Sequence, residues 1–345
     1  METAFSDRPR IVIWEVTQAC ALACVHCRAD ARTWRDPREL TTEEGLRFMD
    51  SLVPAGKPLL ILTGGDPMER PDLAYLVGHG IGRGLTVALS PSATPKVTPE
   101  RLADLKAAGL HRVALSLDGP DAATHDAFRR VPGAYDRTMA IAADLARLGL
   151  PLQIGTTITR HSAPRLEEIG GIVERLGAVL WSVFFLVPLG RAALDSMVSP
   201  AECEDLLHRL YDISRRVRFG IKTTEAPMYR RVVAQRGGQG VPRFAGINDA
   251  KGFAFVSHTG DVFPSGFLPR SAGNVREHDL ADLYRESPLF RDLRDPGKLK
   301  GRCGACEFRE SCGGSRARAY AMTGDPLAAE PLCVYEPASQ PAPAV

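Results

Sequence analysis

Six near-continuous apolar runs punctuate the first part of the chain: IVIWEV at 11–16, PLLILTGGD at 58–66, LTVALSPSA at 85–93, HRVALSLDG at 111–119, PLQIGTTIT at 151–159 and VLWSVFFLVPLG at 179–190. Runs of this kind predict parallel strands covered on both faces. Between them stand helical patterns with start signals. TTEEGLRFMDSLV opens on Thr and early Glu, TPERLADLKAAGL puts Pro99 in the first turn, and SPAECEDLLHRLYDI opens on Ser199-Pro200. Several end at Gly, as in AAGL and RLGL. Six β-then-α units in succession predict an α/β fold with a partial (β/α)6 TIM-like barrel, or alternatively a doubly wound sheet. In either, ligands gather beyond the C-terminal ends of the strands.

The pattern changes after about residue 218. FAFVSHTGDVFPSG reads as a hairpin turning at Thr259-Gly260-Asp261. HDLADLYRESPLFRDL reads as one helix, and CGACEFRESCGGSRARAYA follows it. The expected organisation is a barrel over 1–218, a small Cys-rich domain over 219–336, and a Pro/Ala-rich disordered tail over 337–345.

Composition narrows the function classes. The 345 residues carry 43 basic and 41 acidic side chains, a net charge of +2, which predicts no nucleic-acid partner. No apolar run approaches the roughly 20 residues that span a bilayer, and METAFSDRPR lacks the apolar stretch of a signal peptide. The expected location is the cytoplasm, where clustered thiols more often serve metals or catalysis than disulfides.

Three of the eight cysteines, Cys20, Cys24 and Cys27, crowd into CxxxCxxC directly after the first strand. A structural zinc site takes four ligands. Three thiolates in one loop can instead hold three irons of a cubane 4Fe–4S cluster and leave the fourth iron open to a ligand. The second strand ends in TGGDP, where Gly64 and Gly65 permit close backbone approach and Asp66 follows. Ser116 and Asp118, two apart in SLDG, share a face if their strand continues. Cys303, Cys306, Cys312 and Cys333 form a second, complete set of four, which zinc or a 4Fe–4S cluster would satisfy equally. Cys203 lies in the helical pattern AECEDLL and reads as a packed thiol.

CxxxCxxC after the first barrel strand resembles the signature of the radical SAM superfamily. The resemblance implies that the open iron is chelated by S-adenosyl-L-methionine, which the reduced cluster cleaves to methionine and a 5′-deoxyadenosyl radical that takes hydrogen from substrate. It also implies an external one-electron reductant such as flavodoxin or ferredoxin. His26 occupies the place of the aromatic residue that commonly precedes the third cysteine. TGGDP resembles the family's GGE motif, with Asp66 in place of Glu, so Gly64, Gly65 and Asp66 are expected at the cofactor's ammonium. Ser116 is expected at its ribose or methionine part, Arg129 or Arg130 at its carboxylate, and Thr157 and Val187 at its ribose and adenine.

The second cysteine set resembles the auxiliary-cluster region called SPASM or its shorter relative, twitch, and implies one further 4Fe–4S cluster. GDVFPSGFLPRSAGNVRE, SPLFRDLRDPGKLKGRCGAC and CGGSRARAYAMTGDPLAAEPLC are together similar to the radical SAM enzymes that finish haem, the haem d1 maturase and iron-coproporphyrin decarboxylase subgroup. KTTEAPMYRR, Lys222 to Arg231, is similar to a substrate-side segment of those proteins. The substrate this implies is a tetrapyrrole whose propionates meet Arg230, Arg231, Arg316 and Arg318, with Met228 and Tyr229 packing beside it. Oxidation or crosslinking of a ribosomally made peptide is the alternative, and a non-catalytic iron–sulfur electron-transfer protein stands behind both.

Overall fold

The computed structural model describes residues 5, 7–237 and 246–338; residues 339–345 of the expected tail lie outside the described residues. All six apolar runs form strands: β1 (Ile11–Glu15), β2 (Leu59–Thr63), β3 (Thr86–Leu89), β4 (Arg112–Ser116), β5 (Leu152–Ile158) and β6 (Leu180–Phe185). They pair in parallel, each with the next. The sheet continues past residue 218. At one edge a seventh parallel strand, β7 (Gly220–Thr224), joins β6. At the other, β8 (Phe253–Val256) pairs in parallel with β1 and carries β9 (Val262–Phe263) antiparallel. The order across the nine strands is β7-β6-β5-β4-β3-β2-β1-β8-β9, an open half-barrel with helices outside.

The strands divide their faces more sharply than continuous apolar runs suggest. Along β5 the buried residues alternate, with Leu152, Ile154, Thr156 and Ile158 turned to the helices. Gln153, Gly155 and Thr157 face inward and line a cavity. On β1, Trp14 is fully buried on the outer face, edge-on to Phe48 at 5.5 Å. Its helix, Thr42–Ser51, comes close only because residue 45 is Gly: a Cβ there would lie 2.5 Å from the indole.

The capping signals act as read. Thr41 and Ser199 each form a reciprocal capping box, with Glu44 and Glu202, and Thr98 caps the helix that begins at Pro99. The stretch HDLADLYRESPLFRDL differs from expectation. It forms two helices, Leu280–Glu286 and Pro288–Arg294, because Pro288 has no N–H to continue the first and opens the second. Among the described residues no helix is long and apolar enough to cross a membrane.

A buried ion pair fastens the C-terminal segment to the barrel. Arg318 and Glu330 are both fully buried and meet at 3.0 Å. Arg318 also donates to the carbonyls of Phe185 (3.1 Å), Leu186 (3.2 Å) and Glu225 (2.7 Å). Glu330 accepts from the backbone of Ser315 and Leu332. Removing the cation strands a buried carboxylate and frees three carbonyls. Arg318→Met is expected to cost about 3–5 kcal/mol in denaturant unfolding. A loss below about 1 kcal/mol would show that the pair does not hold the two parts together.

Candidate functional site

The loop after β1 is built around backbone contacts. Gly65 N–H donates to Thr17 O at 2.9 Å and Asp66 N–H to Ala19 O at 2.7 Å. A Cβ on Gly64 would sit 2.5 Å from Thr17 O, and one on Gly65 the same distance from Gln18 O and Ala19 O. A third glycine grips the far side of the loop. Gly190, at φ +63°, would place a Cβ 2.5 Å from Cys27 O, and the next residue, Arg191, donates its N–H to that oxygen at 3.1 Å. The glycines of TGGDP therefore admit the cysteine loop itself. Gly190, the last residue of LVPLG, is a site residue that sequence reasoning missed.

Held this way, the thiols of Cys20, Cys24 and Cys27 line one cavity of about 250 Å³ over the C-terminal strand ends. Gly64, Gly65, Ser116, Arg129, Thr157 and Val187 line the same cavity. Each sulfur has a donor beside it: Leu22 N–H at 3.3 Å from Cys20 Sγ, Ala31 N–H at 3.5 Å from Cys27 Sγ, and Arg129 Nη1 at 3.6 Å from Cys24 Sγ. Burial pushes the Cys20 thiol up to about 11. A bound metal reverses that preference by taking the thiolate, and the three donors suit sulfurs that carry charge. The donor set fits a three-thiolate cluster.

Asp66 is the expected site residue that the structure keeps out of the cavity. Its carboxylate is fully buried and accepts from Thr94 Oγ1 (2.6 Å), Met68 N–H (3.1 Å) and Ser92 N–H (3.3 Å). It braces the β2 and β3 loops, and burial holds its acidity below the usual range by raising the pKa. Ser92 in turn donates to Gly65 O at 2.8 Å and sits 3.5 Å from Cys20 Sγ.

Arg129 closes the helix Ala122–Arg129, and Arg130, at φ +56°, caps it in the left-handed region. The guanidinium pairs with buried Asp118, whose Oδ1 also accepts Thr157 N–H at 2.7 Å. Burial works hardest against charge on Asp118, but Arg129, the two neighbouring histidines and the Thr157 N–H together outweigh it and lower the pKa. Asp118 is thus the anchor of Arg129. His26 stacks on Phe128 at 4.3 Å, and burial, with Arg129 adding repulsion, pulls its pKa to about 4. The imidazole is neutral beside the thiols.

Cys303, Cys306, Cys312 and Cys333 line a second, smaller chamber. Burial pushes Cys312 up to about 12. Glu330 N–H lies 3.3 Å from Cys303 Sγ and Arg316 Nη2 at 3.9 Å. Among the described residues no three Cys, His, Asp or Glu groups surround a point that one metal ion could fill. Cys203 is fully buried in the helix Pro200–Ser214 and lines neither chamber.

The four arginines expected at substrate carboxylates are engaged elsewhere. Arg318 makes the contacts described above. Arg316 is buried and donates to Pro326 O and Ala328 O. Arg231 pairs with Glu204 at 2.5 Å and lies over the Tyr335 ring. Arg230 donates to the carbonyls of Ser311 and Ile247. Met228 and Tyr229 are buried in the core.

A match to the family model described as "Radical SAM superfamily" covers residues 14–169, from β1 past the third thiol to the helix after β5. An AdoMet-dependent heme synthase of Methanosarcina barkeri is 41% identical, over 97% of this chain and 99% of its own length. A pre-heme d1 synthase of Dinoroseobacter shibae is 29% identical over 94% and 85%. In fold the chain is similar to Streptococcus suis SuiB bound to S-adenosylmethionine, with a TM-score of 0.75 at 16% identity over 95% and 78%. Glycine-seated thiols at the end of β1, a cavity over the strand ends and full-length likeness to such relatives have one explanation: the chain is an enzyme of the radical SAM superfamily, which works with a 4Fe–4S cluster and S-adenosylmethionine.

Proposed function

We propose that this enzyme oxidatively modifies propionate side chains of a tetrapyrrole, as a heme synthase. The observation that carries the reading is the 41% identity to an AdoMet-dependent heme synthase along 99% of that protein. In this reading Cys20, Cys24 and Cys27 hold the 4Fe–4S cluster, and the protein works in the cytoplasm with an external one-electron donor. The chemistry the cluster and S-adenosylmethionine supply together is reductive cleavage to a 5′-deoxyadenosyl radical that abstracts hydrogen from substrate.

The chain's own residues bind, orient and exclude water. Arg129, anchored by Asp118, would receive the cofactor's carboxylate with its guanidinium. Gly64 and Gly65 bring backbone to its ammonium, while Ser116, Thr157 and Val187 wall the ribose and adenine side. Asp66 acts through the loop it braces. Cys303, Cys306, Cys312 and Cys333 would hold an auxiliary 4Fe–4S cluster, whose chemistry there is to take up an electron. A peptide substrate is the competing outcome of the tests.

Replacing Cys20, Cys24 and Cys27 together with Ala should leave about half the iron of the reconstituted chain and abolish 5′-deoxyadenosine formation. Full iron, or continued cleavage, would dismiss the assignment. Cys203→Ala should keep all the iron, since its thiol is core packing; loss of one cluster's worth would make it a ligand. Asp118→Asn should weaken S-adenosylmethionine binding roughly 10-fold with iron content unchanged, because Arg129 loses its charged anchor. Wild-type affinity in that variant would remove Arg129 from the cofactor site. Substrate-dependent 5′-deoxyadenosine formation with a peptide and not with a propionate porphyrin would move the function to peptide maturation.

A further inference from the structure

Two cations stand on the inner wall of the half-barrel with no acid to meet them among the described residues. Register places the first. Ser116 pairs with Gly155, Gly155 with Ser182, and Ser182 with Lys222. Residues paired across neighbouring strands project to the same face, and Ser116 and Gly155 line the main cavity. Lys222 therefore leaves β7 on the cavity side, at the open edge of the sheet. The second cation is Arg112, two residues before Ala114 on β4. Ala114 lines the cavity, and so does Gln153, whose Oε1 accepts from Arg112 Nη1 at 3.5 Å.

Neither Lys222 nor Arg112 has a carboxylate partner among the described residues. Burial, with repulsion from Arg230 and Arg112, pulls Lys222 down to about 8. Glu225, the residue after Thr224, is engaged by the hydroxyls of Ser265 and Ser315, and Asp118 pairs with Arg129. A third group points the same way. Thr224 pairs with Phe184, and Phe184 with Thr157, both of which line the cavity. The Thr224 hydroxyl is buried and has no hydrogen-bond partner among the described residues. A half-buried ammonium without a counter-charge and a buried hydroxyl without a partner are both costly to keep. One ligand relieves both, an anion with several oxygen acceptors.

We infer that Lys222 and Thr224 of β7, with Arg112 of β4, form a subsite that receives a carboxylate of the substrate. The inference rests on the tetrapyrrole reading for the ligand's class, a flat apolar ring bearing several carboxylates. It relocates the carboxylate contact within KTTEAPMYRR from the helical arginines to the strand that precedes them. The other carboxylate near this cavity is that of S-adenosylmethionine, which Arg129 is placed to receive.

The test uses the full reconstituted chain under anaerobic conditions. The probes are an iron porphyrin bearing four propionates, its tetramethyl ester, and S-adenosylmethionine. Lys222→Met should weaken binding of the acid porphyrin roughly 30-fold or more, and leave the ester and S-adenosylmethionine bound as in wild type. Thr224→Val should weaken the acid roughly 5-fold, and Lys222→Arg should stay within a few-fold of wild type. Acid-porphyrin affinity unchanged in Lys222→Met overturns the subsite and leaves the tetrapyrrole reading standing. Wild-type protein that binds neither porphyrin overturns both. Equal loss of acid and ester, or loss of S-adenosylmethionine binding, overturns the subsite as a reader of substrate carboxylates. Should Lys222→Met lose iron or melt early, Thr224→Val decides: wild-type affinity there overturns the subsite.

Discussion

Everything at the main site depends on one constraint, that the backbone of the cysteine loop passes within van der Waals contact of two other turns. Gly64 and Gly65 admit it on one side and Gly190 on the other. Any side chain at these positions would push a carbonyl of Thr17, Gln18, Ala19 or Cys27 by more than the packed interior allows. The loop carries no regular secondary structure between β1 and the helix at Thr42. Its shape is set by these contacts and by the bond from Cys20 N–H to Arg32 O. Preorganisation of this kind lets three flexible thiols present a fixed triangle.

The C-terminal segment reinforces that loop from below and behind. Strand β8 pairs with β1, so the segment that carries the second cysteine set shares a sheet with the strand that launches the first. Arg28, the residue after Cys27, donates to Glu15 and to Gly266 O, and lies 4.5 Å over the ring of Phe255 on β8. Glu15 also meets His258 at 2.9 Å. Burial opposes charge on Glu15, and Arg28 and His258 restore it. Arg318 closes the opposite side by holding the carbonyls at the end of β6. The two chambers are thereby linked: Glu330, partner of Arg318, lines the second chamber, and Phe185 and Leu186 line the first.

The repeating units were legible because each of the first six strands is an apolar run and several of the helices between them open on a capping residue. So were the thiols, since CxxxCxxC at a strand end needs no tertiary knowledge. β7 was not legible: GIKTT is short, carries a Lys and two Thr, and has only one large apolar residue. Its identity as a strand comes from pairing with β6. The same limit made the arginines of the following helix read as available to substrate. In KTTEAPMYRR the arginines look free because nothing local shows Glu204 or the carbonyls of Ser311 and Ile247 that occupy them. Asp66 followed the glycines in the motif, yet its partners, Thr94 and Ser92, come from the next strand's loop.

Charge in the cavity is arranged in two styles, and the difference has a physical consequence. Asp118 and Arg129 form a closed pair beside Cys24, so a guanidinium is present without a net charge that would disturb the thiols. Such a pair orients a ligand but attracts it weakly at long range. Lys222 and Arg112 are half-buried and have no carboxylate partner among the described residues, so an anion arriving there would be stabilised. In the proposed reading one end of the cavity holds the zwitterionic cofactor in a set orientation. In that reading the other end draws in an anionic substrate, and the low dielectric of the barrel interior strengthens that attraction rather than screening it.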